Sequence, residues 1–128
     1  MVLLAALLLL LLALPHQATA ALPGKVVYVA PDGSDSASGA TVNTPLASCA
    51  GAVKKVGDII MKAGLPAGGV EVQFAAGAYQ LTSATACGSV HFSGSAASPI
   101  IFRGMGTVLF DATSMLDTEV RTALQQLC

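Results

Sequence analysis

The hexapeptide VEVQFA, residues 70–75, decides the fold of this chain, because its apolar and polar residues alternate without interruption. Val70, Val72 and Phe74 fall on one face of an extended strand, and the glutamate and glutamine between them fall on the other. The alternation therefore predicts a half-buried β-strand.

Short apolar segments recur at regular intervals after this strand. They are YQL at Tyr79, SVHF ending at Phe92, IIF at Ile100–Phe102 and VLF at Val108–Phe110. Gly, Ser, Ala or Pro separates each segment from the next, which predicts several short strands joined by tight turns.

Two all-β architectures fit short strands at this spacing, a sandwich and a solenoid. A sandwich favours Asn-Gly or Asp-Gly hairpin turns, whereas the Asp-Gly pair here, Asp32–Gly33, lies in a long loop. A solenoid turn running from Val70 to about Ile100 spans roughly 30 residues, which is within the usual repeat range. We favour the solenoid, although no internal repeat is visible in the sequence.

The sequence before residue 70 predicts a shorter strand and one helix. KVVYVA at residues 25–30 is β-branched and aromatic, as strands are, and a loop follows to about residue 47. Ser48 is placed as the N-cap of a helix at Cys49–Ala63 whose apolar residues keep a three-or-four spacing. Gly64 is expected to end this helix with a positive φ, and the proline two residues later prevents a restart.

Four stretches follow one another along the chain: YVAPDGSDSASG, TPLASCAGAVKKV, VEVQFAAGAYQL and FSGSAASPIIFRGMGTVLFD. In order and spacing they resemble the N-terminal region of secreted right-handed parallel β-helix proteins of the pectate-lyase-like superfamily, and the resemblance covers Val26 to Asp111. In that family the helix caps the open end of the β-helix, a GxY turn such as Gly77–Tyr79 closes the first coil, and a segment such as Ser93–Ile100 leads into the next.

The resemblance implies a mainly β chain, with a cap helix and the first coils of a β-helix at residues 21–111, in a truncated form. Family enzymes cleave acidic or neutral polysaccharides with Asp clusters that hold calcium and an Arg or Lys base, all on coils downstream of the cap. No catalytic motif of the family matches here, so no catalytic residue, metal ligand or cofactor is assigned to this chain. Calcium would belong to the downstream coils of a full-length protein.

Residues 1–20 have the pattern of a secretory signal peptide. The apolar run Leu3–Leu14 is followed by small residues at Ala18 and Ala20. The run is shorter than the roughly 20 apolar residues that a membrane-spanning helix needs. We expect cleavage between Ala20 and Ala21, export from the cell and no membrane attachment of the mature protein.

The chain has three cysteines, and export would place them in an oxidising compartment. We expect Cys49 and Cys87 to form a disulfide, because Cys128 is the last residue and is free to find a partner elsewhere. The net charge of −1, with scattered charges and no basic stripe, argues against nucleic acid as a partner.

The loop after the first strand contains Asp32 and Asp35 beside two serines, Ser34 and Ser36. Calcium prefers six to eight oxygen ligands, and these side chains supply too few. We therefore interpret the segment as a turn-rich crossing in which Asp and Ser bond to nearby backbone.

Three further groups of residues are candidate sites. His91 lies beside Phe92 without an evident catalytic partner, so we interpret it as a surface histidine or one within the stack. Arg103 and Asp111 would form a functional pair only if stacked coils brought them together, and a structural ion pair or two separate solvent-facing residues are favoured. Five aromatic residues could line a sugar-binding face, but their apolar neighbours favour inward packing. They are Phe74, Tyr79, Phe92, Phe102 and Phe110.

The tail, residues 112–128, differs from the family pattern. Leu116, Val120, Leu124 and Leu127 are at helical spacing after a capping-box-like start at Ser114, which predicts an amphipathic helix. We expect the chain to be the non-catalytic N-terminal part of a secreted polysaccharide-active protein, a lyase or a hydrolase. The alternative is a non-enzymatic cell-surface or matrix β-helix with an adhesive or structural role.

Overall fold

The computed structural model describes residues 21–113 and contains one parallel sheet and one helix. In chain order the elements are β1 (Lys25–Val29), α1 (Cys49–Ala63), β2 (Val70–Gln80) and β3 (Ile100–Asp111). The strand order in the sheet is β1-β2-β3. The described residues are mainly β, as expected. The predicted signal peptide and tail helix lie outside the described residues.

The three strands pair in parallel, and their register follows the spacing seen in the sequence. Val70 pairs with Lys25 on one side and with Ile100 on the other. One pass of the chain therefore starts at Val70 and returns to the neighbouring position at Ile100. The pairing shifts between Ala75 and Gly77, where β3 contains an extra residue, and beyond the shift Gly77 pairs with Val108.

The expectation of several short strands after residue 75 is wrong. The YQL segment begins inside β2, which runs without a break to Gln80, and IIF and VLF are two parts of the 12-residue strand β3. The glycines between them do not end the strands, because Gly106 (φ 95°) lies in the irregular part of the pairing, where a bulge accommodates such a backbone. The SVHF segment forms no strand and its backbone has no strand partner.

Helix α1 confirms the predicted bounds and both predicted caps. The Ser48 hydroxyl accepts a hydrogen bond from the Gly51 N–H at 3.0 Å. Gly64 has φ 76°, and its N–H donates to the Ile60 carbonyl at 2.8 Å. The helix buries Cys49, Ala52 and Val56, the apolar stripe that the spacing indicated. Nothing helical within residues 21–113 has the length and apolarity to cross a bilayer.

The hydrophobic core lies between α1 and one face of the sheet, which we call the inner face. Val27 of β1 pairs with Val72 of β2, which pairs with Phe102 of β3, so these three side chains share the inner face. The first two are fully buried, whereas Phe102 is 42% exposed. The inner face is therefore covered well at β1 and β2 and poorly at β3.

Candidate functional site

The Asp35 carboxylate joins the loop after β1 to the start of α1. Its Oδ1 accepts hydrogen bonds from the N–H groups of Ala47 (2.9 Å) and Ser48 (3.0 Å), and its Oδ2 accepts one from the Ser48 hydroxyl. A Cβ at residue 51 would lie 2.2 Å from Oδ1, so Gly51 leaves the space for this approach. The segment is a crossing, as the sequence indicated, but Asp35 is a fixed structural residue.

The structure contains a disulfide between Cys49 and Cys87, the pair favoured from the sequence. The two Cα atoms are 4.7 Å apart. Beside the bond, the Ala50 N–H donates to the Thr85 carbonyl at 3.2 Å. The long segment between β2 and β3 is thus attached to the first turn of α1. Cys128 lies outside the described residues.

Four of the five aromatic residues form one cluster on the inner face. The Phe74 ring contacts Tyr79 edge-on, stacks on Phe102 and meets Phe110 edge-on, with centroid distances of 5.4–6.2 Å. Phe92 lies apart and packs partly buried against the core near Gly57 of α1. The rings contribute to the core and do not form a sugar-binding platform on the outer face.

Tyr79 is the most constrained member of this cluster. It is 4% exposed, and its hydroxyl donates to the carbonyls of Ala75 (2.8 Å) and Val29 (3.2 Å), sharing one proton between them. Burial raises the pKa of the Tyr79 phenol, and the nearby charge of Asp32 raises it further. The phenol is a buried hydrogen-bond donor that links β2 to β1.

Arg103 does not pair with Asp111. Its Nε lies 3.2 Å from Oε1 of Glu71, and the Gln73 amide donates to the same oxygen at 2.8 Å. Arg103 and Asp111 are eight residues apart on one strand, a separation of about 26 Å at the usual rise. The sequence reasoning missed Glu71, although the offset of about 30 residues between β2 and β3 brings it within reach of Arg103.

Asp111 and His91 also lack the features of a catalytic site. The Asp111 carboxylate accepts hydrogen bonds from the hydroxyl and N–H of Thr113, which lower the pKa of Asp111. His91 is exposed, as the sequence indicated.

No group of three or more His, Cys, Asp or Glu side chains within residues 21–113 is arranged to hold a metal ion. The charged side chains near the loop and the sheet instead form structural contacts. A further candidate is an open groove between β1 and the C-terminal half of α1.

This groove has a volume of about 740 Å³ and carries three lysines, Lys25, Lys55 and Lys62. We call it the lysine groove. Ile59 and Met61 contribute apolar side chains to its lining. Asp58 also lines the groove, but its carboxylate is 2.7 Å from the Lys54 ammonium group. The groove therefore combines a partly apolar wall with positive charge that has no carboxylate partner within residues 21–113.

Sequence reasoning did not find the lysine groove, although part of its signal was present. Lys55 and Lys62 are seven residues apart, close to two helical turns, and so lie on one side of α1. The third lysine joins them because β1 runs beside the helix, which is a tertiary contact. Three lysines that are scattered in the sequence thus lie close together in the folded chain.

Comparison with known proteins gives one informative similarity in fold. No family model matches the chain, and no curated protein matches it. A solved structure titled "Glycoside hydrolase" is similar with a TM-score of 0.55 and 20% sequence identity. The similarity covers 68% of this chain but 15% of the glycoside hydrolase chain. A sequence identity of 20% supports a similarity of fold and nothing more. That similarity involves a small part of the glycoside hydrolase chain.

Proposed function

We propose that residues 21–111 form the N-terminal cap and first coils of a secreted right-handed parallel β-helix protein that acts on polysaccharides. In this proposal the described part performs no catalysis. Its role is to close one end of the β-helix and to start the stacking of coils. The proposal keeps the superfamily that the sequence resembles, the pectate-lyase-like proteins.

The observation that carries this proposal is the continuation of the core across three parallel strands in register. The inner-face row passes from Val27 to Val72 to Phe102, and α1 covers it at β1. The 30-residue return from Val70 to Ile100 matches one coil of such a stack. A further coil on β3 would bury Phe102 and Phe110, which are both 42% exposed.

The link to polysaccharides rests on the glycoside hydrolase that is similar in fold. That protein is much longer, since the similarity covers 15% of it. A non-catalytic role for this part agrees with the structural contacts made by Glu71, Arg103 and Asp35. Chemistry would then reside on other coils of the whole protein.

Export is supported by two independent features. Residues 1–20 have the leader pattern described above, and the disulfide between Cys49 and Cys87 is of the kind that persists in oxidising compartments. N-terminal sequencing of the exported protein is expected to begin at Ala21. Retention of Met1 on membrane-bound protein would contradict export with cleavage.

Two measurements test the proposal. Sequencing the transcript beyond the codon for Cys128 is expected to reveal further coils, and Asp clusters near an Arg or Lys would identify the enzyme. Repeated Asn, Ser and Thr without such clusters would favour the adhesive or structural alternative, and an immediate stop codon would refute both.

The second measurement is an assay of secreted residues 21–128 on neutral and acidic polysaccharides, scored by new reducing ends and unsaturated products. We expect no cleavage. Cleavage that disappears in Arg103→Ala but persists in Lys54→Ala would show that this part is catalytic after all.

A further inference from the structure

We propose that the lysine groove binds an anionic polysaccharide through carboxylate or sulfate groups carried on successive sugars. This inference rests on the proposed function only for the polysaccharide nature of the ligand. The negative charge of the ligand is inferred from the groove itself. The site lies at the capped end of the fold, away from β3.

The first argument is the pairing of charges. Residues 21–113 include five basic side chains: Lys25, Lys54, Lys55, Lys62 and Arg103. Lys54 is paired with Asp58, and Arg103 is paired with Glu71. Neither pair uses a lysine of the groove, so all three of its ammonium groups lack a carboxylate partner within this part of the chain. A chain with a net charge of −1 thus presents three unpaired cations in one place.

The second argument is the spacing of the lysines, which favours a polymer over a small anion. Lys55 and Lys62 are separated by about 10 Å along the axis of α1, and Lys25 lies on the β1 side of the groove. A single small anion can contact both ammonium groups only if the two long side chains bend towards one point, which costs side-chain entropy. An extended chain with repeated charges can contact several at once, and its contacts add up.

The third argument is the shape and lining of the groove. It is open along its length, and its volume of about 740 Å³ is within the range of ligand sites. Ile59 and Met61 offer apolar surface beside the lysines, which suits the C–H faces of sugar rings. The C-terminal end of α1 carries a partial negative charge, so the lysines must supply the attraction and binding should weaken as salt increases.

The test uses secreted residues 21–128 and two matched pairs of polymers. Polyglucuronate is compared with its methyl ester, and dextran sulfate is compared with dextran, by isothermal calorimetry at low and moderate salt. We expect binding to at least one charged polymer and none to its uncharged counterpart. The pair that binds identifies the anion as carboxylate or sulfate.

Single substitutions locate the site. Lys62→Gln is expected to weaken binding about threefold, and Lys25→Gln, Lys55→Gln and Lys62→Gln combined are expected to weaken it more than tenfold. Arg103→Gln is the matched control, because it makes the same change of charge on β3, outside the groove. It should stay within about twofold of the unsubstituted protein. Circular dichroism of each variant verifies that it is folded.

Three results would overturn the inference. They are equal binding of charged and uncharged polymers, equal effects of Arg103→Gln and Lys62→Gln, and no binding of any polymer. None of these results bears on the transcript or on the cleavage assay, so failure of this inference is distinguishable from failure of the proposed function.

Discussion

The Asp35 carboxylate connects the loop after β1 to the first turn of α1 through three hydrogen bonds. A charged acceptor at a helix N-terminus also interacts favourably with the helix dipole. We expect Asp35→Asn to lower the free energy of unfolding by about 1–2 kcal/mol, because hydrogen bonds to a charged group are weakened. Urea unfolding of secreted residues 21–128 measures this change.

Asp32→Asn is the control for this prediction. Asp32 lies in the same loop as Asp35, and its substitution removes the same charge. It makes no hydrogen bond to the start of α1. Its unfolding midpoint should therefore stay close to that of the unsubstituted protein. If the two substitutions have equal effects, the loss of charge would be the cause and the hydrogen bonds would not.

The raised pKa of Tyr79 predicts that the folded protein becomes less stable at alkaline pH. Its pKa is raised in the folded protein above the unfolded value of about 10. The folded state therefore holds the phenolic proton more tightly, and this contribution is fully present below pH 10. It is lost as the pH rises through the folded pKa. We expect stability to fall as the pH rises above about 10 and approaches the folded pKa.

The variant Tyr79→Phe isolates this effect. It lacks the titrating group, so the part of the alkaline loss that comes from Tyr79 should disappear. At neutral pH it should be less stable by about 1 kcal/mol, because the carbonyls of Ala75 and Val29 lose their donor. Chemical unfolding at a series of pH values measures both effects, and an unchanged alkaline slope would contradict the assignment.

Single residues were predictable from the sequence where their role is local. Ser48 and Gly64 act through neighbours within one helical turn, so their side-chain type and position were sufficient. Glu71 and Arg103 are far apart in sequence and meet through the register of β2 and β3. Arg103 and Asp111 could be considered as a pair only because the strands were predicted without their alignment.

At the level of elements, two glycines with positive φ differ in the space available for a side chain. Gly64 ends α1 at φ 76°, and a Cβ there would meet no atom within 4 Å. Gly69 precedes β2 at φ 78°, and a Cβ there would lie 1.9 Å from the Pro99 carbonyl oxygen. The second approach allows the Val70 N–H to donate to that oxygen at 2.9 Å, where β2 and β3 begin to pair.

We therefore expect Gly69→Ala to be far more damaging than Gly64→Ala. Backbone strain alone costs about 1–3 kcal/mol at such a position, and Gly64→Ala should remain folded with a lower melting temperature. Gly69→Ala adds a clash with backbone, so it should fail to accumulate as folded secreted protein. Secretion yield and thermal unfolding of the two variants test this, and equal behaviour would contradict the close approach.

The helix was predictable from the sequence in full, whereas the later strands were predictable only in part. The helix has a capping residue at each end, Ser48 and Gly64, and a stripe of apolar residues between them. Strand β3 contains Gly104 and Gly106, which read as turns in a linear sequence. Pairing with β2 keeps both glycines within the strand, so the number and length of the strands depended on tertiary contacts.

At the scale of the whole molecule, the described fold is closed on one side and open on the other. The helix covers the inner face beside β1, and within residues 21–113 no strand pairs with the outer edge of β3. Several apolar side chains of β3 are exposed along this edge. They are Ile101, Phe102, Met105, Leu109 and Phe110. A long, apolar strand edge of this kind recruits other chains.

We expect residues 21–128 to associate through β3 when they are secreted without further coils. Sedimentation velocity should show species larger than the monomer as the concentration rises. Leu109→Lys places a charge on the edge strand at a side chain that is 59% exposed, so it should shift the distribution towards monomer.

Val90→Lys is the matched control, because Val90 is 48% exposed but lies outside the strands. A monomer at all concentrations would show that the edge is already protected. Equal effects of the two lysines would indicate that net charge, and not the β3 edge, controls association.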